Sequence, residues 1–142
     1  MLAKEIMTKD IEIIQSNDSV LLAAKKMKSM DIGAVPVFDG DRPVGMITDR
    51  DITIRVVAEQ LSPLDTTVDE VMTREVYAVS EDADAVDAVK MMEQKQVRRL
   101  LAKNTQDRIT GILSLGDVAV NLNNQLAGEA LRAVSKPVGQ FR

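Results

Sequence analysis

The chain contains no histidine and no cysteine. Their absence removes the commonest general base, the thiol nucleophile and the soft metal ligands. It also removes disulfides, which fits a reducing compartment. Aromatic residues make up only 2% of the chain, which leaves little to stack on single-stranded bases. Eighteen Lys and Arg against 22 Asp and Glu give a formal net charge of −4, the wrong sign for gripping an extended phosphate backbone. Polymeric nucleic acid is therefore not an expected partner. No apolar run approaches the roughly 20 residues that span a bilayer, and the opening residues MLAKEIMTKD lack the apolar stretch of a signal peptide. These absences predict a soluble, cytoplasmic protein with no membrane partner. Its 45% apolar and 28% charged residues are ordinary for a globular chain.

What the chain does have is repetition. GMITDRDI at 45–52 and GILSLGDV at 111–118 share a glycine, two apolar residues, a hydroxyl (Thr48, Ser114), an acid (Asp51, Asp117) and a β-branched residue. The similarity extends upstream. EIMTKDI at 5–11 is echoed by EVMTREV at 70–76, an offset of 72 − 7 = 65 residues. Val20, Ala23, Ala24 and Met27 lie at i, i+3, i+4, i+7, and Ala85, Ala88, Val89 and Met92 repeat the pattern. That spacing predicts one amphipathic helix per copy, capped by Asp18 or Ser19 in the first and by Asp82 or Asp84 in the second. Strand-like runs follow, AVPVF at 34–38 and RRLLA at 98–102, then turns at 39–43 and 104–108. Each octet then reads as a strand leading into a helix that begins near Arg50 or Gly116. Each copy is thus predicted as β-α-β-β-α, with EQLSPLDTT (59–67) as linker and Pro63 as its breaker. A copy of about 60 residues is marginal alone, so two are expected to pack together and create two grooves.

Two chemical readings of the octet stand side by side. A hydroxyl three residues before an acid at a strand–helix junction is a capping arrangement. The same two groups converge on one point and suit a vicinal diol such as ribose, because a carboxylate accepts two O–H donors. The adjoining helix N-terminus favours phosphate, and Gly45 would let the backbone lie close to the groove's contents. The octets keep glycine, hydroxyl and acid while their other residues diverge, which favours binding over capping alone.

The duplicated Glu-Ile/Val-Met-Thr opening and the octet ending, in order and over residues 3–124, resemble a CBS-domain pair, or Bateman module. The octets with VRRL at 97–100 are similar to short bacterial proteins made of one pair. The resemblance implies an α/β (α+β) fold of tandem motifs about a pseudo-twofold axis. Motif 1 would span 1–58, the linker 59–67, motif 2 68–124 and a C-terminal tail 125–142. The second copy departs from the family's common Leu-Pro-Val by reading LLA at 100–102, whereas the first keeps VPV at 35–37.

In that family the grooves bind adenosine-containing ligands: AMP, ADP, ATP, NAD, S-adenosylmethionine or cyclic di-AMP. Carried over by position, one groove would use Met46, Thr48, Arg50 and Asp51 with Thr73, Val76, Tyr77, Val97, Arg98 and Arg99. The other would use Ile112, Ser114 and Asp117 with Thr8, Ile11, Glu12, Ile32, Gly33 and Ala34. The first gathers three arginines, and the matching positions of the second are Gly116, Gly33 and Ala34. The phosphorylated ligand is therefore expected in the arginine-rich groove. Against this, Arg98 and Arg99 can be read as solvated strand residues, Arg50 as a partner of Asp49 or Asp51, and Tyr77 as a plain strand residue. Met27 and Met92 are read as core.

The resemblance implies a non-catalytic sensor that signals to an unidentified effector protein as a homodimer with a helical interface. No cofactor or metal is required, and the adenosyl ligand is regulatory. A helix around 123–134 in the tail would extend or cap that interface. The alternative is a ligand-independent scaffold. An enzyme is not expected, because no carboxylate pair or lysine sits in a catalytic constellation.

Overall fold

The computed structural model describes residues 1–136, so the end of the expected tail, 137–142, lies outside the described residues. The elements follow the repeat. The first copy runs α1 (Ala3–Ile6), β1 (Ile14–Gln15), α2 (Val20–Met30), β2 (Ala34–Asp39), β3 (Arg42–Thr48) and α3 (Asp49–Ile52), which continues as a π-helical turn over Thr53–Val57. The second runs α4 (Val68–Val71), β4 (Ala78–Ser80), α5 (Ala85–Lys95), β5 (Arg99–Lys103), β6 (Ile109–Ser114) and α6 (Leu115–Asn121). Helix α7 (Asn124–Ser135) follows in the expected tail. The fold is α/β, each copy β-α-β-β-α behind a single helical turn. No helix among the described residues is long and apolar enough to cross a membrane.

Local chemistry accounts for the elements. Ser19 and Asp84 are the observed N-caps, their side chains accepting from the Leu22 and Val86 N–H groups. Helices α2 and α5 each end on a residue in left-handed conformation, Asp31 (φ 55°) and Gln96 (φ 54°), one repeat apart. The linker is folded onto α2, where the carbonyls of Thr66 and Pro63 accept from Val20 and Leu21 N–H groups that the helix itself leaves unsatisfied.

The chain divides into two compact units that are not the two sequence copies. Among the described residues, one unit is 12–76; the other joins 1–11 to 77–136. In each, the opening segment packs with the other copy's sheet. In the 12–76 unit, β2 pairs parallel with β1 and antiparallel with β3. Val20, Val35, Val37, Ile47, Val56 and Val68 are fully buried there. In the second unit β5 pairs in the same two senses with β4 and β6. Its core gathers Ala3, Val89, Met92, Leu100, Leu113, Ala130 and Val134. Met27 and Met92 are both core, 8% and 0% exposed.

The repeated opening Glu-Ile/Val-Met-Thr has a physical account residue by residue. The glutamates reach back to cap their own turns, Glu5 Oε2 accepting from the Leu2 N–H and Glu70 Oε2 from the Thr67 N–H, both at 2.7 Å. Ile6 and Val71 are buried. The threonines exchange paired backbone bonds with the octet strands. Thr73 and Met46 bond at 2.8 and 2.9 Å, and Thr8 and Ile112 at 2.9 and 3.0 Å. This close crossing explains the octet glycines. A Cβ on Gly45 would lie 2.6 Å from the Thr73 carbonyl oxygen, and one on Gly111 would lie 2.6 Å from Met7 Sδ. The backbone that comes close to Gly45 is therefore the opening segment of the other copy, rather than the contents of a groove.

Candidate functional site

The octet's hydroxyl and acid meet in both copies. Thr48 Oγ1 accepts from the Asp51 N–H at 3.1 Å, and Asp51 Oδ2 accepts from the Thr48 N–H at 3.0 Å. Ser114 and Asp117 repeat this at 3.1 and 2.9 Å. The capping arrangement is thus realised twice. It does not exhaust the acids, and the two differ. Asp51 is only 7% exposed and also accepts from the Thr73 hydroxyl at 3.2 and 3.3 Å. Arg55 Nη1 lies 4.0 Å from it and donates to the Val71 and Met72 carbonyls at 3.0 Å each. Asp117 is half-buried, and its Oδ1 meets no donor among the described residues.

The helix starts differ in the same direction. All three first N–H groups of α3 are taken: Asp49 by the Gly33 carbonyl, Arg50 by its neighbour's Oδ1, and Asp51 by Thr48. Asp49 and Asp51 add negative charge there, so phosphate gains little at this end. At α6 the Leu115 N–H is taken by the Arg98 carbonyl and the Asp117 N–H by Ser114. The Gly116 N–H meets no acceptor among the described residues.

The sequence-derived residues divide between the units. Met46, Thr48, Arg50, Asp51, Thr73 and Val76 lie in 12–76 with Glu12, Ile32, Gly33 and Ala34. Ladder partners Ala34 and Thr48 sit side by side there, and Glu12 is held by Lys26 at 2.8 Å. Tyr77, Val97, Arg98 and Arg99 lie in the other unit with Thr8, Ile11, Ile112, Ser114 and Asp117. Tyr77 and Val97 pack against that unit's core, and the Lys95 ammonium stands 5.2 Å from the Tyr77 ring centroid.

The arginines are correspondingly divided, with Arg50 in one unit and Arg98 and Arg99 in the other. Arg98 and Arg99 line a cavity of about 520 Å³ together with Ser114 and Gly116, which the sequence had assigned to the opposite groove. The β5–β6 ladder explains this, because Arg99 pairs directly with Ser114. Leu115, Ala119, Ala127, Gly128 and Leu131 complete the wall. Sequence reasoning missed those five residues and Arg55. The i+4 spacing from Asp51 to Arg55 could have revealed the latter; the wall depends on where α7 docks.

Comparison with known proteins accords with this architecture. The model of the CBS domain matches residues 3–58 and again 68–124. The CBS domain-containing protein YhcV of Bacillus subtilis is 38% identical over 133 residues, covering 93% of this chain and 94% of its own. Hypoxic Response Protein I, solved with two coordinated zinc ions, superposes with a TM-score of 0.74 at 33% identity, over 87% of this chain and 100% of that one. The zinc belongs to that protein; histidine and cysteine are absent here. The CBS domain of a bacterial CNNM/CorC family Mg²⁺ transporter, solved in complex with ATP, shares the fold at 22% identity (TM-score 0.73, 83% of this chain and 84% of that one). Repeat, folded elements and relatives converge, and the chain belongs to the CBS-domain family, carrying two CBS domains in tandem.

Proposed function

We propose that this CBS pair is a non-catalytic regulator that binds an adenosine-containing ligand and signals its presence to a partner protein, acting in the cytoplasm as a homodimer. The observation that carries the reading is the cavity of about 520 Å³ where Arg98 and Arg99 converge on Ser114 and Gly116. Its volume falls within the roughly 300–1,000 Å³ usual for small-molecule sites. The guanidinium groups suit a phosphate. The Ser114 hydroxyl suits a ribose hydroxyl, and the apolar wall suits a base. Adenosyl ligands are also what the family's sites take.

A ligand that binds only the folded chain at ~100 times its dissociation constant adds about 2.7 kcal/mol of stability. The test is thermal unfolding against AMP, ADP, ATP, NAD, S-adenosylmethionine and cyclic di-AMP, after denaturing a sample to release any nucleotide carried through purification. An upward shift with at least one ligand, lost in an Arg98→Ala/Arg99→Ala double variant, is the expected result. A second reading, the ligand-independent scaffold, is favoured by the internally satisfied Asp51 cluster. It predicts no shift with any ligand and no nucleotide released.

A further inference from the structure

We infer that helix α7 is a size-setting wall of the arginine-lined cavity and that Gly128 is its specificity-determining residue. The inference rests on the nucleotide reading above. The occupant it fits is a purine nucleotide with its phosphate on Arg98 and Arg99 and its base against the α7 side. Helix α7 begins where the family match ends, at residue 124, and the first copy has no counterpart. It is therefore an addition particular to this unit.

The helix is fixed in place from below. Ala130 and Val134 are fully buried, in the same core cluster as α5 and α6 residues. At the far end, Gln96 Nε2 donates to the Ala133 carbonyl and Arg98 Nη2 to Ser135 Oγ, both at 3.3 Å. Arg98 is thus both a cavity residue and one of two tethers of the wall. A glycine in the middle of a helix is unfavourable relative to alanine, yet a Cβ built on Gly128 meets nothing within 4 Å. No packing requires this glycine. The space it leaves is cavity, shared with Ala119 of α6, and Leu131 on the same wall is 48% exposed, an apolar face that a base would cover.

The test is isothermal calorimetry of AMP and ATP on the intact chain, on Gly128→Ala, Gly128→Leu and Gly128→Phe, and on Ala119→Leu, with melting temperatures measured alongside. Affinity is expected to fall in the order Ala, Leu, Phe, at least tenfold by Leu, while melting temperature does not fall with it. Ala119→Leu fills the cavity from the opposite side and is expected to weaken binding too. If Ala119→Leu blocks binding and the Gly128 series binds like the parent, the ligand is in the cavity but α7 is not its wall. If every variant binds like the parent, the ligand lies elsewhere and the inference falls while nucleotide binding stands. If the parent binds neither nucleotide, the wall inference falls, and the functional reading is decided separately by the six-ligand unfolding panel.

Discussion

Replacing Gly45 with alanine probes how the second copy's opening segment is held. A Cβ there would lie 2.6 Å from the Thr73 carbonyl oxygen and 2.8 Å from Met72 Sδ. Neither distance is tolerable, and the carbonyl is backbone, so the opening segment must move off the strand. The move breaks the two bonds between Met46 and Thr73, at 2.8 and 2.9 Å, each contributing about 0.5–1.5 kcal/mol. It also disturbs Met72, which is 4% exposed, and overpacking of this kind typically costs about 1–3 kcal/mol. The expected loss is about 2–6 kcal/mol, a large part of the 5–15 kcal/mol that holds an ordinary domain together. Gly40→Ala is the control. Gly40 has φ +65° with nothing within 4 Å, so its cost is conformational only, about 1 kcal/mol. Urea unfolding gives both values, and amide exchange at Thr73 reports whether the segment itself is released. A Gly45→Ala cost no greater than that of Gly40→Ala, with Thr73 exchange unchanged, would refute the crossing account of the octet glycine.

Asp51→Ala should destabilise the chain by about 2–3 kcal/mol, since it removes the hydrogen bond that Thr48 N–H donates to it, worth about 1 kcal/mol, and leaves the Thr73 hydroxyl and Arg55 without their carboxylate. Asp117→Ala loses only the hydrogen bond from the Ser114 N–H, about 1 kcal/mol; equal losses in urea unfolding would contradict the asymmetry of the two acids. Asp31→Gly, at the left-handed end of α2, should raise stability by roughly 0.5–1 kcal/mol in the same assay. With no histidine or cysteine in the chain, metal analysis of purified protein should return well under one equivalent of zinc, unlike the zinc-bound relative; stoichiometric zinc would point to a carboxylate site.

Features governed by neighbours in sequence were legible. The helix periods, the Ser19 and Asp84 caps (each as one of two candidates), the strands through Val35–Phe38 and Leu100–Ala102, and the strand–helix octets all follow from local pattern and local hydrogen bonding. The octet glycines were legible as a repeated pair, but their cause was not. Their close neighbours, Met72–Thr73 and Met7–Thr8, come from the other copy, and period analysis is blind to that exchange. That Arg98 and Arg99 line one cavity with Ser114 was likewise not legible from spacing. Only the β5–β6 register makes Arg99 the neighbour of Ser114. An amphipathic tail helix was foreseeable, but which flank of it would face a cavity depends on docking geometry that no spacing encodes.

The exchange of opening segments also decides where the chain can be cut. A boundary in the linker, the natural choice from the repeat, yields a fragment 1–67 that keeps β1, β2, β3 and α2 but loses Val68, Val71 and Met72. These three are 0%, 3% and 4% exposed in the intact chain. Full burial of such side chains is worth about 1.5–3 kcal/mol each, or about 5–9 kcal/mol together. At about 0.05–0.15 kcal/mol per residue, a piece of this size has only roughly 3–10 kcal/mol to lose. Fragment 1–67 should therefore be unfolded, its residues 1–11 having no partner. Fragment 12–76 retains every buried residue of its core cluster. It should show dispersed amide resonances and a cooperative, if shallow, urea transition. If 1–67 proves as well folded as 12–76, the repeat and not the packing unit is the folding unit, and the opening segment contributes far less than its burial implies.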